Sequence, residues 1–454
     1  MGFRVNLVAS ALALTLASVS VGGAHAQSIT QALTQAYDHA PDLQAALLDA
    51  KIAAEDVALA NAGKRPTVGA TFGGDQSLLL TPEGTWVDGG AAFTAGLGYN
   101  QTIFDNYRTD AEIEGARAAA EAAEHGIRTT EQTVLLDVVS AYMDVLSGRQ
   151  LLALRQENME FYRAQLQSAQ DRLDVGEGTR IDVAQAEARL ASGDATYRAA
   201  QASLEIAQAT FQRLVGALPG NLDSSHNFAR LIPANLQTAI AEAEAGHPAI
   251  LQAKAAIRAA QAGSDAASAA GGPTASVEGS VGTGYNTLTG GTGLSASVGF
   301  TITVPIYAGG AIGAGVRRAN INQIRSEVTA MSSYDQIREA VIAAWAGIQS
   351  ADAQISAANA GVSASRTVLD GIIQERDLGT RTTLDVLDSQ AELTTAREAL
   401  ITASSNKVIA TFSLLSAMGH LTARDLGLPV QIKSAVRYNQ AVEDVWQELR
   451  TVAE

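Results

Sequence analysis

The chain has 454 residues, no cysteine, only 5% aromatic residues and a formal net charge of −16. The lack of cysteine excludes a disulfide framework, thiolate metal sites and the lipid-bearing cysteine of a lipoprotein. The acidic balance argues against nucleic acid as a partner, and abundant alanine with few aromatics favours long, closely packed helices over ordinary compact domains.

Residues 1–26 have the order of a cleaved secretory signal. Arg4 precedes an apolar run, and Ala24, His25 and Ala26 precede Gln27. The run is shorter than the roughly 20 residues that a membrane-spanning helix needs, which argues against an uncleaved anchor. The sequence therefore predicts export and a mature chain that begins at Gln27.

The rest of the chain contains an internal twofold repeat. HAPDLQAALLDA (39–50) recurs as GHPAILQAKAAI (246–257), and IDVAQAEARL (181–190) recurs as LDVLDSQAEL (384–393), at offsets of 207 and 203 residues. We expect a first repeat over 27–217, a linker over 218–234, a second repeat over 235–419 and a mixed C-terminal segment over 420–454. Each repeat is predicted to run helix, two strands, long helix, turn, helix.

Alternation of apolar and polar residues predicts strands near 67–75, 93–100, 274–283 and 294–306, with hairpin loops at 81–86 and 286–293. This pattern fits a membrane barrel strand and equally a half-buried soluble sheet. Four strands cannot close a membrane barrel, since such barrels have about 8 strands or more, and an open sheet would leave unpaired edges in lipid. Strands that span a membrane would therefore have to be shared among several chains.

Proline-free helical patterns run from about residue 106 to 173 and from 312 to 378, which corresponds to roughly 100 Å of helix each. The helix after the first turn carries six alanines at coiled-coil spacing, which predict a seam of close helix contact. These are Ala184, Ala188, Ala191, Ala195, Ala199 and Ala202.

The two turns carry similar motifs, VGEGTRIDV (175–183) and GTRTTLDVLD (379–388). Thr179 with Asp182, and Thr382 with Asp385, have the spacing of a capping box with a carboxylate in the first helical turn. A cap does not account for Asp388, which lies one turn further along on the same face as Asp385.

Together these residues resemble the TolC-like outer-membrane factors of Gram-negative efflux and secretion systems. The resemblance covers almost the whole mature chain, and it is carried by the second turn motif, by PIYAGG (305–310), by its degenerate partner QTIFD (101–105) and by the twofold repeat. It implies an α+β membrane protein that forms a homotrimer. Four strands per protomer would build a twelve-stranded β-barrel, continued by a long α-helical barrel with a mixed equatorial region.

The resemblance also implies a passive exit duct in the outer membrane, with its helical barrel in the periplasm. It implies no catalysis and no cofactor. The expected partners are a periplasmic adaptor protein, an inner-membrane ABC or proton-driven transporter, and outer-membrane lipid. The sequence leaves the substrate and the type of pump open.

By the same resemblance, Asp385 and Asp388 form the periplasmic gate and selectivity ring, while Arg381 locks the gate against Asp182. Threefold symmetry would bring six carboxylates together, which would raise one another's pKa and attract cations; no intrinsic metal site is implied. Arg376 stands where the best-known member has a tyrosine, and Ile181 where it has a threonine. Arg376 is expected either to bond a carboxylate or to be solvated.

Two other interpretations remain. A periplasmic or surface coiled-coil scaffold, with its strands in a soluble sheet, would share much of the pattern. Gly309 and Gly310 before a helix suggest a phosphate loop, but no GxxxxGK[ST] motif is present. A flexible junction between strand and helix explains these glycines better.

Overall fold

The computed structural model describes residues 27–223 and 228–447, so the predicted signal segment lies outside the described residues. The first half contains α1 (Ile29–His39), α2 (Pro41–Ala62), β1 (Thr67–Leu80), β2 (Trp86–Phe104), α3 (Arg108–Asp174) and α4 (Arg180–Val215). After a 3-10 turn (Phe228–Leu231), the second half contains α5 (Leu236–Gly246), α6 (Pro248–Ala269), β3 (Thr274–Asn286), β4 (Gly291–Thr303), α7 (Ala311–Asp377) and α8 (Thr383–Ala417), followed by α9 (Val436–Val442). The predicted strands and long helices are confirmed, but each half has two helices before its strands where one was predicted.

The four strands form one antiparallel sheet in the order β1-β2-β3-β4. Its register places Ala70, Leu97, Val281 and Ala296 on one rung across the four strands. Because side chains alternate along a strand, the predicted apolar residues of all four strands share one face. That face is open: the exposed fraction is 84% for Phe72, 82% for Leu294 and 87% for Val298.

The last strand is shorter than predicted. Apolar alternation continues to Ile306, but β4 ends at Thr303, and Ile306 is 95% exposed. Pro305 has no backbone N–H to donate to a ladder, so the sheet stops before it although the side-chain pattern continues.

Each strand-to-helix junction is a pair of residues in the left-handed region. Gly309 and Gly310 have φ of +61° and +84° before α7, and Asn106 and Tyr107 have φ of +58° and +65° before α3. Glycine adopts this conformation without the steric penalty that a Cβ brings. In the first repeat, Asn106 instead donates a hydrogen bond to the Ala269 carbonyl at 3.2 Å. The junction is therefore a defined turn that both repeats share.

Helix α3 is the centre of the protomer, and it packs against α2, α4, α6 and α8, while α7 packs against α6 and α8. Accordingly 18 residues of α3 are buried, whereas only five residues of the equally long α7 are. The long helices contact one another in the order α4, α3, α8, α7. Within the described ranges, none of the helices has the length and apolarity to cross a membrane.

The predicted alanine seam of α4 is not used within the protomer, because all six alanines are exposed. Helix α4 instead turns another face toward α3, formed by Ala186, Gly193, Ala200, Leu204 and Phe211, all of which are buried. A Cβ at Gly193 would lie 3.1 Å from the Tyr162 ring, so glycine permits this close approach. Within one chain the alanine stripe is therefore an exposed surface, and a seam along it stays a prediction.

The largest apolar core lies at the middle of the molecule, where α1, α3, the ends of α4 and α8, and the C-terminal segment meet. Glu131 on α3 is fully buried there and accepts hydrogen bonds from Arg128 at 2.7 Å and from the Ala423 backbone N–H at 2.6 Å. Arg128 in turn donates to the Lys433 carbonyl at 2.6 Å. A buried charge needs such partners, so this pair holds the C-terminal segment against α3.

The helices that follow the two turns begin with the predicted capping boxes. Thr179 caps α4 with Asp182, and Thr382 caps α8 with Asp385, each hydroxyl accepting from the N3 backbone N–H while the N3 carboxylate accepts from the cap. Both predictions are confirmed, since a capping box depends only on residues three apart.

Replacing Thr382 with valine tests the second box. Loss of the hydroxyl should cost about 1 kcal/mol of local stability, so amide hydrogens in the first turn of α8 should exchange about fivefold faster. Hydrogen-exchange mass spectrometry over residues 383–390 measures this, and Thr179→Val provides the matched control at the start of α4. Unchanged exchange in Thr382→Val would contradict the assigned cap.

Candidate entrance site at the helix turns

The two helix turns lie at the ends of α3 and α7, each 67 residues from its strand-to-helix junction and thus roughly 100 Å away. Gly176 and Gly379 have φ of +83° and +78°, which lets the chain reverse in a few residues. The Thr380 N–H donates to the Glu375 carbonyl at 3.0 Å and closes the second turn. Both turns therefore present short, well-defined loops at one end of the molecule.

Asp385 is held by its own cap. One carboxylate oxygen accepts from the Thr382 N–H at 2.9 Å and from the Thr382 hydroxyl at 2.8 Å. These bonds, with a smaller contribution from Arg381, hold the pKa of Asp385 below its ordinary value of 3.8. The cap's stabilisation is therefore complete above that value and is lost as the pH falls through the lower folded pKa. Within one chain the pKa of Asp385 is therefore lowered, whereas a ring of carboxylates is expected to raise the pKa of its members.

Asp388 is paired with a residue that the sequence analysis missed. Arg189 on α4 donates to the Asp388 carboxylate, and the two side chains are 41% and 52% exposed. Arg189 lies seven residues after Asp182 and hence on the same face of α4, which was the available signal. The pair connects the first hairpin (α3 and α4) to the second hairpin (α7 and α8).

Arg381 and Asp182 line one small groove of about 180 Å³ between the two turns. Arg381 is paired inside its own hairpin, with its Nε 2.8 Å from Glu375 Oε2. Asp182 accepts from the Thr179 N–H at 3.0 Å and from its hydroxyl at 2.6 Å. The structure thus brings the two residues to the same groove, and their link stays a prediction.

Arg376 is largely buried and bonds a carboxylate, the first of its two expected environments. Its Nε and Nη2 donate to Asp377 Oδ1 at 3.1 and 2.8 Å, and its Nη1 donates to Gln165 Oε1 at 2.7 Å. Because Gln165 belongs to α3, Arg376 joins the second hairpin to the first. Ile181, the other departure from the family pattern, is 68% exposed.

Further from the turns, a buried polar network joins α3 to α8. Asn158 Oδ1 accepts from Gln390 Nε2 and from the Thr394 hydroxyl, each at 3.0 Å, and all three residues are buried. Two ion pairs continue the same interface, Arg155 with Glu398 at 2.6 Å and Arg397 with Glu157 at 2.9 Å. Polar contacts therefore follow α8 over several helical turns.

Apolar contact also holds the two hairpins together. Leu387 and Ala186 are fully buried and form a cluster with Tyr162, which is 5% exposed. Exposing Leu387 would cost about 1.5–3 kcal/mol, whereas an exposed ion pair is worth about 0–1 kcal/mol. Within a protomer, this apolar contact resists separation of the hairpins more than the surface ion pairs do.

Comparison with known proteins places the chain in a family. The family model for outer membrane efflux proteins matches residues 32–217 and 239–420. The chain is 36% identical over 451 residues to the outer membrane efflux protein BepC of Brucella suis, covering 98% of this chain and 97% of that protein. It is 27% identical over 433 residues to the outer membrane protein TolC of Escherichia coli, covering 90% and 87%.

The fold is shared with solved channels. The CmeC outer membrane channel of Campylobacter jejuni has a TM-score of 0.75 and 16% sequence identity, covering 92% of this chain and 89% of that one. At this sequence identity, structural similarity supports a shared fold only. The family match over both repeats supports a shared function. The scaffold interpretation is thereby overturned. The chain belongs to the outer membrane efflux protein family and serves as an outer-membrane exit duct of an efflux or secretion system.

Proposed function

We propose that three copies of this chain close one twelve-stranded barrel in the outer membrane and one helical barrel behind it, and that the duct conducts passively, without catalysis. The observation that carries this proposal is a sheet that is open at both edges and exposes a continuous apolar face. A single protomer offers no closed wall, so the duct is a property of the assembly.

The sheet edges support closure by other copies. In the described parts of the chain, β1 pairs only with β2 and β4 only with β3. Unpaired backbone groups in hydrocarbon cost several kcal/mol each, so lipid excludes an open sheet of this size. Pairing β4 of one copy with β1 of the next satisfies both edges, and three copies supply twelve strands.

The helical flanks support the same closure. At one flank, α4 exposes its six regularly spaced alanines, which would admit a close helix neighbour. At the other flank, α7 exposes apolar residues at helical spacing: Ile321, Ile324, Val328 and Met331. The α7 surface lies near the sheet, where Asn320 bonds Ser264 of α6, whereas the α4 stripe lies near the turns, where Gly193 packs on Tyr162. Each surface would therefore be covered by a different part of a neighbouring copy.

At the entrance, Asp385 and Asp388 would recur three times around the axis. Within the part of a single chain that the structure describes, no group of three or more His, Asp or Glu side chains is placed to hold a metal ion. A cation-attracting ring therefore needs all three copies. Oxygen ligands of this kind suit hard divalent cations, which would block the duct from the periplasmic side.

Opening requires the two hairpins of a protomer to separate at the groove that holds Arg381 and Asp182. An adaptor protein that docks at the turns, together with an ABC or proton-driven inner-membrane transporter, would supply the free energy. That free energy includes exposure of Leu387, about 1.5–3 kcal/mol per protomer, beyond the loss of ion pairs. A closed resting state follows from this contact.

The double variant Asp385→Ala/Asp388→Ala tests the ring. The purified wild-type trimer in a planar bilayer should show a small conductance that Mg²⁺ on the periplasmic side blocks, because the carboxylates bind the cation. The double variant should conduct with the block lost, while Asp194→Ala, on α4 beyond the turn, should behave as wild type. Block of equal strength in the double variant would refute the ring.

Replacing Arg381 with serine tests the lock. We expect a larger single-channel conductance, because the side chain holds the second turn closed in the groove beside Asp182. Arg338→Ser removes an exposed ion pair with Glu244 near the middle of the molecule and should leave conductance unchanged. If Arg381→Ser conducts like wild type, Arg381 does not lock the gate.

A further inference from the structure

The ion pair between Arg189 and Asp388 joins α4 to α8 beside the predicted entrance. Both partners are charged, and both are about half exposed, so each would otherwise act on ions in the surrounding water. The pair therefore affects the net charge at the predicted entrance.

Packing on either side fixes this pair in place. On α4, Ala186 lies one turn before Arg189 and is fully buried; on α8, Leu387 directly precedes Asp388 and is fully buried against it in one apolar cluster. Gln390, two residues after Asp388, is tied to Asn158 on α3. The backbone positions of the two charged residues are thus set by buried neighbours, and the pair does not depend on its own surface contact alone.

The carboxylates of Asp385 and Asp388 consequently differ in whether a cation pairs with them. Asp385 accepts hydrogen bonds from Thr382, whose groups are neutral, so its negative charge remains. Arg381 acts on Asp385 more weakly than these hydrogen bonds do, and it is itself paired with Glu375. Asp388 faces the full positive charge of Arg189, which cancels its field at distances longer than the pair.

We propose that Arg189 is a selectivity-determining residue of the duct, because it neutralises Asp388 and leaves Asp385 as the uncompensated one of the two ring aspartates in each protomer. The inference rests on the proposed function, since it assumes a threefold entrance. The ring then carries three uncompensated carboxylates where the aspartates alone would suggest six. Arg189 thereby weakens the hold of the entrance on divalent cations and on cationic solutes in general.

The test is Arg189→Gln in the purified full-length trimer, with Mg²⁺ added on the periplasmic side of a planar bilayer. Release of Asp388 should lower the Mg²⁺ concentration for half-block about thirtyfold, the effect of one unit charge on a divalent cation about 4 Å away in water. Arg189→Lys keeps the charge and should restore the wild-type value. Arg198→Gln, which removes an exposed ion pair with Asp194 on the same helix, is the matched control.

Asn at position 388 separates charge compensation from a structural role. Asp388→Asn alone leaves Arg189 unpaired and should weaken the block, because it adds a positive charge at the entrance. The double variant Arg189→Gln/Asp388→Asn replaces a neutral charge pair with two neutral side chains and should return half-block to the wild-type value. Equal half-block in Arg189→Gln and wild type, or a tighter block that persists in Arg189→Gln/Asp388→Asn, would overturn the inference while the duct stands. Absence of any Mg²⁺-sensitive conductance in the wild type would overturn the proposed function and this inference with it.

Discussion

The unpaired edges of the four-stranded sheet are the constraint from which the rest of the architecture follows. A sheet with one apolar face belongs in lipid, and lipid does not tolerate open edges. The same chain that leaves β1 and β4 open also leaves α4 and α7 at the flanks of the helical layer. Both the sheet and the helical layer therefore have uncovered edges in a single chain, and the proposed symmetric assembly would cover both.

Inside a protomer, the two hairpins are held by contacts of unequal strength. Surface ion pairs such as Arg189 with Asp388 define geometry more than they stabilise it. The buried Leu387 and the Asn158 network give the packing of the two hairpins most of its resistance to separation, because separation would expose apolar surface and leave buried polar groups unpaired. Charge at the turns can thus be tuned with little cost to the fold.

Local features were predictable from the sequence, and distant pairings were not. The strands followed from alternation and the capping boxes from residues three apart, because each depends on neighbours in the chain. The end of β4 was predicted wrongly because apolar alternation continues past Pro305. The missing N–H of Pro305 ends the hydrogen-bond ladder before that residue. The alanine spacing on α4 indicated a seam without indicating which chain provides the other side.

The sequence analysis did not identify Arg189 because its partner Asp388 is 199 residues away in the chain. No local sequence pattern distinguishes a paired arginine on an exposed helix face from an unpaired one. The same holds for Gln165 and Asn158, which contact the second hairpin only after the two repeats pack. The entrance aspartates were placed by a family resemblance, but their separate environments required the packed structure. Pairing across repeats is decided by tertiary contact and lies beyond what periodicity can specify.

Closure of the barrel between copies is the central claim, and a disulfide scan tests it directly in a chain with no native cysteine. Thr71→Cys on β1 would be combined in turn with cysteines along the polar face of β4, such as Ser295→Cys, Ser297→Cys and Thr301→Cys. Three strand spacings separate β1 from β4 in one chain, about 14 Å, which no disulfide can bridge. The account predicts covalently linked dimers and trimers for the pair in register. Oxidation that yields only single chains at every β4 position would contradict it.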